Sequence, residues 1–111
     1  MLPHDLRVPI SAQLALAIGQ IDYLVSVASE SHVDRSISEP RSFIENNVAL
    51  ALTLLDYARE HPVTKFLHVS TDEVYGPAPD NSEHAEGEPH RPSNHYSASK
   101  AAQEDIVYSY W

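Results

Sequence analysis

Two short β-rich segments on either side of one long helical segment constrain the fold more than any other feature of this sequence. Residues 22–27 and 65–70 carry aliphatic, β-branched and aromatic side chains at the density that is typical of buried strands. Between them, four apolar residues recur at the helical spacings of 4, 4 and 3, namely Ile44, Val48, Leu52 and Leu55.

The segment between the strands has the boundaries of a single long helix. Pro40 stands where a helix can begin, since the N–H that proline lacks has no partner in a first turn. The helix should end near Glu60, because Pro62 favours an extended conformation in the residue before it. A strand, a helix of about five turns and a second strand form a βαβ unit, whose strands lie parallel. The sequence therefore predicts an α/β fold.

Two further helices are predicted to flank this unit. Ser11 is a suitable cap for a helix over residues 12–18, with Gly19 as its stop. Residues 95–111 return to helical spacing. Residues 76–94 are rich in Pro, His and acidic residues and are expected to form a long surface loop. The polar residues between the first strand and the long helix are also expected to form a loop.

The composition excludes several classes of protein. The formal net charge of −9 and an isoelectric point near 5.0 argue against binding to nucleic acid or to anionic membranes, because phosphate groups would be repelled. The absence of cysteine rules out a disulfide framework, a thiolate zinc site and a Cys nucleophile. The longest apolar run, residues 48–52, is far too short to cross a bilayer. No secretion signal is visible, so we expect a cytoplasmic protein.

The few glycines exclude a complete phosphate-binding loop. Gly19, Gly76 and Gly87 cannot form G-x-G-x-x-G or G-x-x-x-x-G-K, the motifs in which backbone N–H groups cradle phosphate. The length of 111 residues allows one domain and leaves no room for a second.

A hydroxyl and two carboxylates follow the second predicted strand within one turn of chain. Thr71, Asp72 and Glu73 stand where the carboxyl ends of strands line the ligand crevice of open α/β sheets. Neighbouring carboxylates in different environments can serve as acid and base. The alternative interpretation is a polar turn in which Thr71 or Asp72 caps a helix.

A tyrosine and a lysine share one face of the last predicted helix. Tyr96 and Lys100 are four residues apart, and a nearby ammonium favours the phenolate form that a general base requires. The alternative interpretation is an ordinary surface contact between two side chains at the start of a helix.

The order of these residues resembles a known catalytic arrangement. A hydroxyl at a strand end, followed by Tyr and Lys on a helix, resembles the triad of the short-chain dehydrogenase/reductase family. Residues 31–36 and the Thr-Asp-Glu sequence narrow the resemblance to its extended branch, specifically to nucleoside-diphosphate-sugar dehydratases of the dTDP-glucose 4,6-dehydratase type. The segments that carry the resemblance are residues 28–37, 43–48, 69–76 and 92–100. It implies that the βαβ unit is part of a Rossmann-like, doubly wound parallel sheet.

The resemblance implies a catalytic role for each of five residues in an internal redox cycle on a nucleoside-diphosphate sugar such as dTDP-glucose. Tyr96 would take the proton of the sugar 4-hydroxyl while C4 gives hydride to NAD+. Lys100 would hold the ribose hydroxyls and favour the phenolate of Tyr96. Thr71 would bond the 4-oxygen, Glu73 would remove the C5 proton, and Asp72 would protonate the departing 6-hydroxyl. Hydride would then return to C6, and the product would be a 4-keto-6-deoxy sugar.

Further residues are implied in binding the cofactor and the substrate. Ser31 would face the sugar as well as the cofactor. Thr71 would also bind the substrate, through the 4-oxygen of the sugar. Asn46 aligns with a cofactor-contacting position that is usually Thr, and Asn47 aligns with an adjacent structural Asn. Ser26 and Ser29 stand where the family commonly has His and Ala. The implied cofactor-binding residues are Val27, Ala28, Ser29, Glu30, Ser31, Asn46, Tyr96 and Lys100.

The histidines and acids of the polar loop could be interpreted as a metal site, but a solvated acidic loop is the expected structure, and no metal is expected. These side chains are not set in register as paired ligands by a predicted helix or hairpin. The residues concerned are His84, His90, His95, Glu83, Glu86 and Glu88.

The resemblance also implies parts that this sequence lacks. Family members begin with a Gly-rich turn and end with a smaller substrate-binding domain, so residues 1–111 are expected to be a partial NAD(P)-binding domain with the catalytic centre and no second domain. Alone it should be nearly inactive, whereas the longer protein should be a homodimer. Two alternatives stay open: a related sugar-nucleotide epimerase or decarboxylase, and a truncated, non-catalytic interaction module.

Overall fold

The computed structural model describes residues 1–79 and 82–110, so that Asp80, Asn81 and Trp111 lie outside the described residues. Regular elements follow the predicted order, with one additional helix and one 3₁₀ helix. They are α1 (Ala12–Ile18), β1 (Tyr23–Ser26), α2 (Val33–Ser38), α3 (Pro40–Glu60), β2 (Lys65–His68), the 3₁₀ helix (Asp72–Tyr75) and α4 (His95–Ser109).

The two strands form the parallel pair that the sequence predicts. They align from Tyr23 opposite Lys65 to Ser26 opposite His68, and α3 is the connection between them. The βαβ unit and the α/β class are thereby confirmed. Because Ser26 and His68 are paired at the ends of their strands, the segments that follow them leave the sheet side by side.

One face of the sheet is covered, by buried residues of β1 and half-buried residues of β2, so the prediction of two buried strands is correct for one face only. Leu24 and Ser26 are buried. In contrast, the side chains of Tyr23, Val25 and Leu67 are 65%, 55% and 58% exposed. The physical reason is that the described helices pack on the Leu24 face and leave the opposite face open.

A small apolar core joins α1, β1 and α3. Ala15, Leu24 and Tyr57 form its buried centre, and Phe66 of β2 packs against it. This core lies near the amino ends of the strands, away from the segments that leave their carboxyl ends.

The buried face of α3 is offset by one residue from the predicted apolar stripe. Along the length of the helix, its buried side chains recur every four residues at Phe43, Asn47, Ala51 and Leu55. Apart from Leu55, the residues of the predicted stripe are only half-buried. The offset arises because α4 packs on the face that carries Asn47, whose hydrogen bonds to other segments orient the helix.

The short helices differ in how far local signals predict them. α1 has its predicted bounds, with Ser11 Oγ accepting from the Leu14 N–H at 3.2 Å and Gly19 at a φ of 72°. By contrast, α2 lies where a loop was expected and has no side-chain cap. Its Ser36 is fully buried, so that packing against α3 and α4, rather than a local signal, holds this helix in place.

The last helix begins at His95 as predicted and extends to Ser109, whereas the end predicted for it, Trp111, lies outside the described residues. The preceding segment has no helix or strand over residues 82–94, in agreement with the predicted loop. In the described part of the chain, no helix is both long enough and apolar enough to cross a bilayer.

Candidate active site

The Thr-Asp-Glu segment leaves the carboxyl end of β2 as a capped turn. Thr71 Oγ1 accepts a hydrogen bond from the Glu73 N–H at 3.3 Å and thereby begins the 3₁₀ helix. The Thr71 hydroxyl also donates to Asp72 Oδ1 at 3.3 Å. The capping interpretation is therefore confirmed, and the same cap places a hydroxyl and two carboxylates at the strand end.

The two carboxylates lie in different environments. Asp72 is exposed, whereas Glu73 is half-buried. Glu73 Oε2 accepts a hydrogen bond from Asn94 Nδ2 at 3.0 Å. One carboxylate is thus held by a neighbouring element while the other faces solvent.

The turn is completed by the returning polar loop. Gly76 adopts a φ of 84°, and a Cβ built on it would overlap the carbonyl oxygen of Arg91. The Arg91 N–H donates to the Val74 carbonyl at 2.9 Å. Glycine is required here both for its positive φ and for this close approach of two backbones.

Tyr96 and Lys100 lie on α4, which begins directly beside the turn. Asn94 is the N-cap and forms a capping box with Ser97: its Oδ1 accepts from the Ser97 N–H at 2.8 Å. The Tyr96 ring packs edge-on against Phe43 of α3, with ring centroids 6.4 Å apart. The tyrosine is therefore held between two helices.

Lys100 is buried, so the interpretation of a surface contact was wrong. Only 3% of this residue is exposed. Its Nζ donates to the Val69 carbonyl at 2.6 Å, two residues before Thr71. Burial lowers the pKa of Lys100, and the carboxylate of Glu104 opposes that shift. This bond ties the helix of Tyr96 to the end of β2.

The segment implied to bind cofactor follows β1 and lies against α3. Glu30 pairs with the side chain of Asn47 through both its N–H, at 2.8 Å, and its carbonyl, at 3.0 Å. Ser29 Oγ donates to the Glu30 carbonyl at 3.1 Å. Asn46 Nδ2 donates to Asn47 Oδ1 at 3.2 Å. Val27 and Ser31 are exposed, while the residues between them are half-buried.

A contact between two side chains connects the paired strand ends. Ser26 Oγ lies 3.3 Å from His68 Nδ1, across the paired strands. Burial and the nearby ammonium of Lys100 lower the pKa of His68. The two side chains thus connect the carboxyl ends of the paired strands.

Two histidines of the polar loop, His84 and His90, contact acids at separate places. His84 Nδ1 lies 2.9 Å from Glu88 Oε2, and the His84 ring packs on Tyr75. His90 faces Glu104 at 3.3 Å and a second acid of α4 at 3.5 Å. Over residues 1–79 and 82–110, no group of three His, Asp or Glu side chains is placed to hold a metal ion.

Two hydrogen bonds bring the predicted catalytic residues to one edge of the sheet. Asn94 to Glu73 and Lys100 to the Val69 carbonyl join α4 to the segment after β2. The segment after β1 lies beside them because the strands are paired in register. Such an edge can hold a dinucleotide along the strand ends, with a sugar over the hydroxyl and carboxylates.

Sequence reasoning did not identify Asn94, Ser99 and Gln103 as part of this arrangement. An Asn three residues before a Ser at a helix start is a signal for a capping residue, but it does not indicate the second bond of Asn94. Ser99 and Gln103 are fully buried polar residues on a helix, and no local pattern marks them.

Comparison with known proteins agrees with this geometry. The model of a family described as the NAD dependent epimerase/dehydratase family matches residues 3–111. A dTDP-glucose 4,6-dehydratase of Xanthomonas campestris pv. campestris is 44% identical over 100 residues, which cover 82% of this chain and 28% of that protein. The dTDP-D-glucose 4,6-dehydratase of Mus musculus is 41% identical over 99 residues, or 89% of this chain and 28% of that protein.

Solved structures show the same relationship. The chain superimposes on DesIV, a dTDP-glucose 4,6-dehydratase from Streptomyces venezuelae with NAD bound, with a TM-score of 0.83 and 40% identity over 96% of this chain and 32% of that one. A UDP-glucose 4-epimerase of Thermus thermophilus in complex with NAD gives a TM-score of 0.87 at 30% identity, over 96% and 35% of the two chains. These neighbours have Rossmann folds, in agreement with the predicted fold class.

Proposed function

The chain belongs to the NAD dependent epimerase/dehydratase family, and we propose that it carries the catalytic centre of a dehydratase acting on a nucleoside-diphosphate hexose, with dTDP-glucose as the expected substrate. It spans 28% of the length of the Xanthomonas campestris dehydratase that it matches. The activity is accordingly proposed for the site, and residues 1–111 are proposed to be part of a larger NAD(P)-binding domain that carries this catalytic centre.

The residues present fit the dinucleotide that the family uses. Lys100 is a buried ammonium with one acceptor on the described chain, the Val69 carbonyl. An ammonium has three N–H donors, so donors are available for the hydroxyls of a ribose. NAD bound along residues 27–31 and Asn46 would supply reversible hydride transfer. Tyr96 and Lys100 complete the proposed set of cofactor contacts.

Each side chain has a proton to move or an atom to hold in the proposed reaction. Tyr96 takes the proton of the 4-hydroxyl, and Thr71 donates to the 4-oxygen. The ketone at C4 acidifies the hydrogen at C5, which Glu73 removes as general base. Asp72, the more exposed of the two, acts in its carboxylic acid form: it gives its proton to the 6-hydroxyl, which leaves as water, and becomes a carboxylate. Ser31 contacts the sugar from the opposite side of the crevice.

The bond between Asn94 and Glu73 is the observation that carries this proposal. It fixes a half-buried carboxylate beside the helix of the Tyr-Lys pair, while Asp72 stays in solvent. Sugar 4-epimerases need no acid and base for a C5–C6 elimination. The carboxylate pair and the 44% identity therefore favour a dehydratase over an epimerase, although both kinds of neighbour share the fold.

A chimaera tests the proposal. Residues 12–109 of this chain replace the matching segment of the Xanthomonas campestris dehydratase, and the product from dTDP-glucose is identified by NMR. We expect the 4-keto-6-deoxy sugar. Glu73→Gln in the chimaera should slow its formation by about 100-fold or more, the usual contribution of a general base. The C4 epimer as product would instead establish the epimerase alternative.

Three further properties are part of the proposal. The net charge of −9 supports an enzyme that binds neither nucleic acid nor an anionic membrane, and a cytoplasmic location is consistent with the absence of cysteine. The longer protein is proposed to be a homodimer through α3 and α4. Size-exclusion chromatography with light scattering on the chimaera tests the last property.

A further inference from the structure

Asn47 joins three segments of the candidate site through a side chain that is completely buried. We propose that it is a positioning residue, which ties the loop of Glu30 to the helix of Tyr96 and Lys100. The inference rests on the proposed function, because that function assigns the roles of the two segments: the loop of Glu30 is proposed to bind NAD, and the helix carries Tyr96, the proposed base.

On the loop side, the amide of Asn47 pairs with both backbone polar groups of one residue, Glu30. Its Oδ1 accepts from the Glu30 N–H at 2.8 Å, and its Nδ2 donates to the Glu30 carbonyl at 3.0 Å. A side-chain amide thereby supplies the donor and the acceptor that a neighbouring strand would supply. The loop after β1 is thus held against α3 without a third strand.

On the helix side, the same Nδ2 donates to Ser99 Oγ at 2.8 Å, between two side chains that are both completely buried. Ser99 Oγ in turn donates to the Tyr96 carbonyl at 2.7 Å. A second link runs the other way, from Gln103 Nε2 to the backbone carbonyl of Asn47 at 2.5 Å. A chain of hydrogen bonds therefore runs from Glu30 to Tyr96. Its central bond, between Asn47 and Ser99, is buried, and the bonds at its two ends are part-buried.

The chemistry of this position admits few substitutes. Both hydrogens of Nδ2 and the lone pairs of Oδ1 are used, so an aspartate would keep the acceptor for Glu30 but lose both donors. Within the described residues, the side chain of the neighbouring Asn46 makes one hydrogen bond, to Asn47 itself, so it does not reach Glu30 or Ser99. The two functions of the amide can consequently be separated by substitution.

Hydrogen exchange and tyrosine ring signals, both measured by NMR on the whole chain, test the tie without any ligand. Asn47→Ala should accelerate exchange of the Glu30 amide by about tenfold or more beyond any change at the Leu55 amide, which reports opening of α3 as a whole.

Ser99→Ala removes the hydrogen bonds of Ser99 to Asn47 and to Tyr96 and leaves those between Asn47 and Glu30. This variant is expected to fold even if Asn47→Ala does not. It should shift the Tyr96 ring signals and leave Glu30 protected. The matched control is Ser109→Ala, which removes the same kind of bond, from Oγ to the carbonyl three residues earlier, at an exposed position on α4. The control should change neither readout.

Two results would overturn the inference. If Asn47→Ala accelerated amide exchange equally at Glu30 and Leu55, Asn47 would contribute to overall stability and would not position the loop. If the Tyr96 ring signals shifted no more in Ser99→Ala than in Ser109→Ala, the hydrogen bonds from Asn47 through Ser99 would not position the tyrosine. Neither readout needs NAD or a sugar, so failure of the tie is distinguishable from failure of the proposed dehydratase activity.

Discussion

Asn94 and Glu73 are joined by a hydrogen bond of 3.0 Å between Nδ2 and Oε2, across 21 residues of sequence. The other atom of the same amide, Oδ1, accepts from the Ser97 N–H and begins α4. One side chain thus sets the start of the helix that carries Tyr96 and, at the same time, the position of the carboxylate proposed as base. The polar loop between the two residues has to return to the site for this bond to form.

Asn94→Ala should lower the free energy of unfolding by about 1 kcal/mol, within the range of 0.5–2 kcal/mol for loss of an N-cap. Asn94→Asp should retain most of the cap but place a second carboxylate beside Glu73. Urea denaturation measures both variants. The exposed neighbour Ser93 provides the control, because Ser93→Ala should change stability by no more than about 0.5 kcal/mol. Equal effects of the two alanine variants would contradict the capping role.

Gly76→Ala should destabilise the chain more than Gly87→Ala does. Both glycines have a positive φ, 84° and 86°, so each substitution carries a backbone cost of about 1–2 kcal/mol. At Gly87 a Cβ would meet nothing within 4 Å, whereas at Gly76 it would overlap the Arg91 carbonyl oxygen. The difference between the two thermal midpoints therefore measures the close approach of the loop. Equal midpoints would show that the loop does not pack on the turn.

Lys100→Met should remove a pH dependence of stability. Burial lowers the pKa of Lys100 below its ordinary value of 10.5. Between the lowered pKa and 10.5, the unfolded chain binds more protons than the folded chain, so the wild type gains stability as the pH rises through this window. The variant lacks that gain. Urea titrations from about pH 7 to about pH 10.5 should show the wild type improving relative to the variant.

The control for this titration is Lys65→Met, at an exposed position on β2. It should follow the wild type across the same range of pH. If the difference between the wild type and Lys100→Met stays constant with pH, the lysine is not buried as the structure has it.

Glu88→Gln should lower the pKa of His84. The hydrogen bond to Glu88, followed by that to the Gly76 carbonyl, raises the pKa of His84 above 6.5. Loss of the larger cause should move the titration midpoint, read from the His84 ring protons by NMR, back toward 6.5. Since the raised pKa favours the protonated form, the pair stabilises the loop below pH 6.5 and loses this contribution as the pH rises through the raised value.

Glu86→Gln is the matched control for His84, because Glu86 is exposed on the same loop. It should leave the His84 midpoint within the error of the wild-type value. A midpoint that moves equally in both variants would show a general effect of loop charge rather than the bond to Glu88.

Local signals were sufficient for most of the elements. The cap at Ser11, the stop at Gly19 and the proline at the start of α3 each act within one turn of chain, and the structure has helices with those bounds. The order of Thr71, Asp72, Glu73, Tyr96 and Lys100 was sufficient to indicate the family. The helix bounds depend on residues within one turn of chain, and the family depends on the order of motif residues. Both can therefore be predicted from the sequence alone.

Contacts between distant segments set the rest. The buried face of α3 is offset by one residue because Asn47 hydrogen-bonds Glu30 and Ser99, which are 17 and 52 residues away. Lys100 is buried because the Val69 carbonyl, 31 residues earlier, accepts its bond. α2 has no cap of its own and is held by packing. Periodicity reports how apolar a face is, and it contains no information about which buried polar group finds a partner once the helices meet.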